Sequence, residues 1–179
     1  MARRILIAVV AALPLLAIGG YALAGGQSEL ADVRSATAAF HDLEGARAAG
    51  YTLELPDVFG NTCIANLDDP TTGAMGVHMV NPGLLNDGGV IDATKPEALV
   101  YERRDDGTLK LAAVEYVAFQ ADVSRPTLFG VPFAANDGSR FFPASDPHPF
   151  WALHAWIWKP NPTPLAGIFA PWNPRVTCD

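Results

Sequence analysis

Residues 98–119, ALVYERRDDGTLKLAAVEYVAF, decide the fold: two apolar runs flank an Asp-Asp-Gly-Thr turn, the pattern of a β-hairpin. Pairing about Asp106-Gly107 sets Arg104 opposite Leu109, Glu102 opposite Leu111, Val100 opposite Ala113 and Ala98 opposite Glu115. Residues two apart along a strand share a face, so Glu115 shares its own with Leu111, Ala113, Val117 and Phe119. A carboxylate among apolar neighbours is costly unless it is paired, hydrogen-bonded, protonated or metal-bound. The surroundings of Glu115 are therefore where a function is to be sought.

On the C-terminal side of the hairpin, residues 150–158, FWALHAWIW, are apolar on both alternating faces. That is the pattern of a central strand covered on each side, with His154 on the face of Ala152 and Trp156. On the N-terminal side, residues 77–80 read as a short strand in which His78 and Val80 share a face. Earlier still, Leu30, Val33, Thr37, Phe40 and Leu43 recur at threes and fours, which predicts one amphipathic helix over residues 27–50 with Ser28 as N-cap and Gly50 as stop. Residues 51–72 read as loop, and residues 128–133 as either a bent edge strand or loop. The tail from Lys159 carries five prolines and reads as an extended wrap over the surface. The expected class is α+β: an N-terminal helix packed on a mostly antiparallel sheet that could curl toward a barrel.

A chain of 179 residues has room for one domain and one core. Residues 1–24 read as a cleaved secretory signal: Arg3 and Arg4 supply the positive start, residues 5–18 an apolar run, and Ala22-Leu23-Ala24 a small-x-small cleavage site. The rival is an uncleaved anchor, against which Pro14, Gly19, Gly20 and the cleavage triplet all argue. The expected location is secreted or periplasmic, with no stable membrane anchor after cleavage and residues 25–179 as a single domain. Without Arg3 and Arg4 the 12 basic residues fall to 10 against 19 acidic, a formal charge of −9. Nucleic acid and anionic lipid are poor partners for such a surface. Outside the cytoplasm the two cysteines, Cys63 and Cys178, are expected to bond to each other, restricting the unfolded chain by roughly 4 to 5 kcal/mol in the entropy account.

Five blocks, Gly73-Ala-Met-Gly-Val-His78, Pro96-Glu-Ala-Leu-Val-Tyr-Glu102, Val114-Glu115-Tyr116, Leu153-His154-Ala-Trp156-Ile-Trp158 and Trp172-Asn-Pro-Arg-Val-Thr-Cys178, span most of the chain after the leader. Together they resemble a family of small secreted bacterial proteins without an assigned function. The resemblance implies export and a single domain, and implies no chemistry.

The chemistry must come from residues. His78 and His154 lie inside strands and Glu115 lies on an apolar strand face. Two histidines and one carboxylate form the ligand set of many catalytic zinc and non-haem iron sites. Such a set would take one transition-metal ion, zinc, iron, copper or manganese. Glu102 competes for the carboxylate role, but in the register above it sits roughly 13 Å from Glu115 at about 3.3 Å per residue, so one ion cannot take both. Glu102 instead reads as the partner of Arg103 or Arg104 in a solvated ion pair. His41 reads as a boundary residue and His148, between two prolines, as a loop residue. No Gly-x-Ser-x-Gly elbow, phosphate loop or dinucleotide fingerprint is present. Trp151, Trp156, Trp158 and Trp172 read as core or as the lining of an aromatic groove for a sugar or another small ligand. Two classes stay open: a metal-binding domain, with metal-dependent catalysis as its extension, and a non-catalytic extracellular binding or structural domain. In the second, the three residues form a buried hydrogen-bonded cluster.

Overall fold

A computed structural model describes residues 19–163 and 167–178. Nine strands are present among them: β1 Leu53–Glu54, β2 Cys63–Ala65, β3 Ala74–Val80, β4 Ala98–Arg103, β5 Leu109–Phe119, β6 Thr127–Leu128, β7 Val131–Pro132, β8 Ala134–Asn136 and β9 Phe150–Ala155. Seven build one antiparallel sheet in the order β1-β3-β4-β5-β9-β8, with β2 also paired to β3. The sheet ends at β1 and β8 and closes no barrel among the described residues. The α+β expectation holds as an open sheet with helices on one face.

The hairpin of β4 and β5 forms at the expected turn, where Gly107 adopts φ 80° and the Asp106 carboxylate accepts from Thr108 N at 2.9 Å. Far from the turn the register is the one read from the sequence, with Ala98 opposite Glu115 and Val100 opposite Ala113. Nearer the turn it slips by one: Tyr101 pairs with Leu111 and Glu102 with Lys110. The cause is a bulge at Ala112, the extra residue between Leu111 and Ala113. Its carbonyl accepts from Trp158 N at 3.1 Å and Lys159 N at 2.9 Å, so the bulge receives the chain as it leaves β9. Leu111 consequently belongs to the opposite face from Glu115, in the core with Leu99, Tyr101, Val114 and Tyr116.

The expected single helix is two. α1 spans Gly19–Thr37, a 3-10 turn follows over Ala38–His41, and α2 spans Leu43–Ala48. Asp42 makes the break: it is extended (φ −86°, ψ 116°) and its carboxylate accepts from Glu44 N and Gly45 N, capping α2. Ser28 falls inside α1 rather than capping it. Gly50, at φ 99°, ends the segment as expected. Val33, Thr37 and Ala46 are fully buried against the sheet. The helix is also tied to the end of β9, because Arg34 Nε donates to Ile157 O at 3.0 Å and Trp158 Nε1 to Thr37 Oγ1 at 3.2 Å.

The other face of the sheet is covered by the C-terminal tail. Val176 and Ile168 pack on Ala74, Val100, Ala112, Ala113 and Trp156. Asn173 forms a bridge with Ala74, and a side chain on Gly73 would meet Asn173 O at 2.1 Å, so the tail lies close on glycine backbone. The tail is not wholly extended, since Gly167–Phe169 form a 3-10 turn. Cys63 and Cys178 bond as expected, closing a loop of separation 115. Residues 51–72 hold β1, β2 and a short 3-10 turn rather than loop alone, and residues 127–132 form a small hairpin of their own, β6 and β7, turning at Phe129 and Gly130 with φ 55° and 73°. Of the leader read over residues 1–24, residues 1–18 lie outside the described residues. No helix among the described residues is long and apolar enough to cross a membrane.

Candidate metal centre

The three residues singled out in the sequence meet. Glu115 stands directly opposite His154 across β5 and β9, and opposite Ala98 across β4. His78 lies one strand further away, opposite Val100 on β4. The small side chain of Ala98 leaves room between the flanking strands, so the imidazole of β3 and the carboxylate of β5 can meet above β4. His78 Nε2 approaches Glu115 Oε2 at 3.2 Å and His154 Nε2 at 3.4 Å, and His154 Nδ1 lies 3.5 Å from Glu115 Oε1. One ligand atom from each residue can be chosen so that all lie within 4.8 Å of one another.

All three side chains are buried, His78 to 1%, His154 to 3% and Glu115 to 8% relative exposure. Burial pushes the Glu115 carboxyl upward, but the imidazoles of His154 and His78 outweigh it and leave its pKa below the ordinary carboxylate value. For His154, burial outweighs the attraction of Glu115 and lowers the imidazole below its ordinary value. The imidazoles thus favour the ionised form of Glu115, while burial opposes a positive charge on His154. Among the described residues His78 Nδ1 has no hydrogen-bond partner. The His154 ring lies nearly parallel to Trp156, at an interplanar angle of 13°.

The rejected candidates are elsewhere. Glu102 pairs with Lys159 and not with Arg103 or Arg104; Arg103 reaches Glu54 at 3.7 Å instead. His148 sits in a loop beside Asp146 at 3.3 Å, and His41 packs edge-on against Trp158.

Two features escape the sequence. Glu97, immediately before β4, is 1% exposed; its Oε2 accepts from Val117 N at 2.9 Å, continuing the β4–β5 pairing with a side chain. Burial dominates its environment and, despite that hydrogen bond, pushes its pKa up to about 8, so it is protonated at neutral pH. Glu97 and Glu115 both line an apolar cavity of about 50 Å³. The second feature is Asp57, buried to 3%, which accepts from Phe59 N and Asn61 N and faces Arg140 at 3.5 Å. Comparison of the chain with family models, curated proteins and solved structures gives no match.

Proposed function

We propose that this chain is an exported domain that holds one transition-metal ion through His78, Glu115 and His154. The observation that carries the reading is a carboxylate, buried against two imidazoles, with no Lys or Arg among its polar partners in the described residues. Two imidazoles and a carboxylate whose ligand atoms all lie within 4.8 Å of one another form a donor set that a divalent ion can occupy. Two of the three separations suit such an ion. Bonds of about 2.0 to 2.1 Å in a tetrahedron separate neighbouring ligand atoms by roughly 3.3 to 3.4 Å, against 3.4 Å between the two Nε2 atoms and 3.2 Å from His78 Nε2 to Glu115 Oε2, with the whole set within 4.8 Å. Zinc, iron, copper and manganese all accept this donor set. Three protein ligands leave a position open for water or a ligand, which metal-dependent catalysis requires.

The second reading is a metal-free cluster that serves a binding or structural domain, and the direct 3.2 Å contact between His78 and Glu115 favours it, since a protonated Nε2 donates well there. Metal analysis after purification and dialysis separates the two. The metal reading expects close to one equivalent per chain in the wild type and none in His154→Ala or His78→Ala. Wild-type protein that stays empty after incubation with zinc, iron, copper and manganese, and whose melting temperature chelators leave unchanged, overturns it.

A further inference from the structure

Glu115 and His154 also line a larger cleft of about 320 Å³, with Met75, Phe150, Phe169 and Trp172. Its other walls come from alanine, proline, valine, leucine and phenylalanine, with Asn136 as the other polar side chain besides the Trp172 indole N–H. No lysine, arginine or aspartate lines it. That volume is at the lower end of small-molecule pockets. Such walls offer few side-chain hydrogen bonds, so a sugar or phosphate entering them would replace only part of its hydration. An aromatic ring loses little hydration and gains the burial of its faces against Phe150, Phe169 and Trp172.

The charge of the site sets the other half of the ligand. No lysine or arginine lines the cleft beside the Glu115 carboxyl to receive an anion. An anionic group can therefore approach only when a metal ion supplies the positive charge and an open coordination position. Resting on the metal reading above, we propose that the cleft takes a small one-ring aromatic molecule carrying a single metal-coordinating oxygen group. The ring lies among Phe150, Phe169 and Trp172, and the oxygen group points to the ion held by His78, Glu115 and His154.

The test uses the zinc-loaded full chain with two probes that share a coordinating head, benzohydroxamate and acetohydroxamate. Calorimetry is expected to find benzohydroxamate bound about ten-fold more tightly or better, because only it buries a ring. Neither probe is expected to bind zinc-free protein, and benzohydroxamate is expected to change the fluorescence of Trp172 in zinc-loaded wild type by comparison with Trp172→Phe. Ala152→Leu, which fills the cleft from β9, is expected to keep one zinc and lose the ten-fold preference. Phe169→Ala removes a wall outside the sheet and is expected to reduce the preference with zinc retained, so the test survives if Ala152→Leu fails to fold. A zinc-loaded protein that binds the two probes equally, or variants that keep the full preference, overturns the aromatic cleft and leaves the metal centre standing. A chain that takes up no zinc overturns the metal centre, and the cleft proposal falls with it.

Discussion

The two faces of the sheet are built on opposite plans. Under the helices, the face carries large side chains: Leu99, Tyr101, Leu111, Val114 and Tyr116 are all fully buried. Its polar atoms are matched. Tyr51 OH donates to Pro96 O, Tyr101 OH to Phe40 O and Tyr116 OH to Ala93 O, and burial holds all three phenols protonated by raising their pKa. The other face carries Gly76, Ala98, Val100, Ala113 and Ala152 around His78, Glu115 and His154. There His78 Nδ1 lacks a partner, and Glu115 meets two imidazoles but no lysine or arginine, among the described residues. A face of large, matched side chains stabilises the fold. A face of small residues leaves space around its three clustered polar side chains.

Substitution can break this comparison, beginning with the helix-side face. Leu99→Ala should cost about 2 to 5 kcal/mol in chemical denaturation, while the protein that remains folded keeps its metal content. An equal loss of metal would mean that the faces are not independent. Glu97→Gln should come next. The folded pKa of Glu97 is raised from 4.5 to about 8, so its contribution is fully present below pH 4.5 and is lost as pH rises through 8. Each unit between folded and unfolded pKa is worth about 1.4 kcal/mol, so the loss across that window amounts to a few kcal/mol. Glutamine, which stays neutral and can still accept from Val117 N, should flatten the decline of metal-free stability over that window. A variant that declines as steeply as the wild type would contradict a protonated Glu97.

Glu115→Gln sharpens the contrast further. In metal-free protein it should change stability by no more than about 1 kcal/mol, because an amide can take up the contacts to both imidazoles. It should nevertheless abolish tight metal binding, as read by metal analysis. A large loss of metal-free stability would place Glu115 with the structural residues. The smallest effect belongs to Glu102→Gln, which should cost under about 1 kcal/mol, since its ion pair with Lys159 is partly exposed, and should leave the metal in place.

The sequence made the site legible because strand alternation is a strong signal where one face is unusual. Glu115 beside Ala113 and Val117, His154 between Leu153 and Ala155, and His78 between Val77 and Met79 each stand out against apolar neighbours. The bulge at Ala112 left no such mark, because Ala112 and Ala113 are both small and apolar and either fits either face. That ambiguity put Leu111 on the wrong side. Asp42 hid in a helical stripe because Leu43 continued the spacing, although an aspartate three residues before Gly45 is also a cap pattern. Glu97 follows Pro96 and reads as part of a turn; only the folded chain shows its carboxylate completing a strand ladder. Phe141 and Phe150, which wall the cleft, flank a stretch with three prolines whose path no periodicity fixes.

The central claim is that two imidazoles and one carboxylate of this face share a metal ion. X-ray absorption at the zinc edge of protein loaded with one equivalent addresses it most directly. The account predicts a first shell of nitrogen and oxygen at about 2.0 to 2.1 Å with the outer-shell scattering of two imidazole rings, reduced to one ring in His154→Ala. A shell of oxygen alone, or a wild-type spectrum that His154→Ala leaves unchanged, would place the ion on surface carboxylates and contradict the claim.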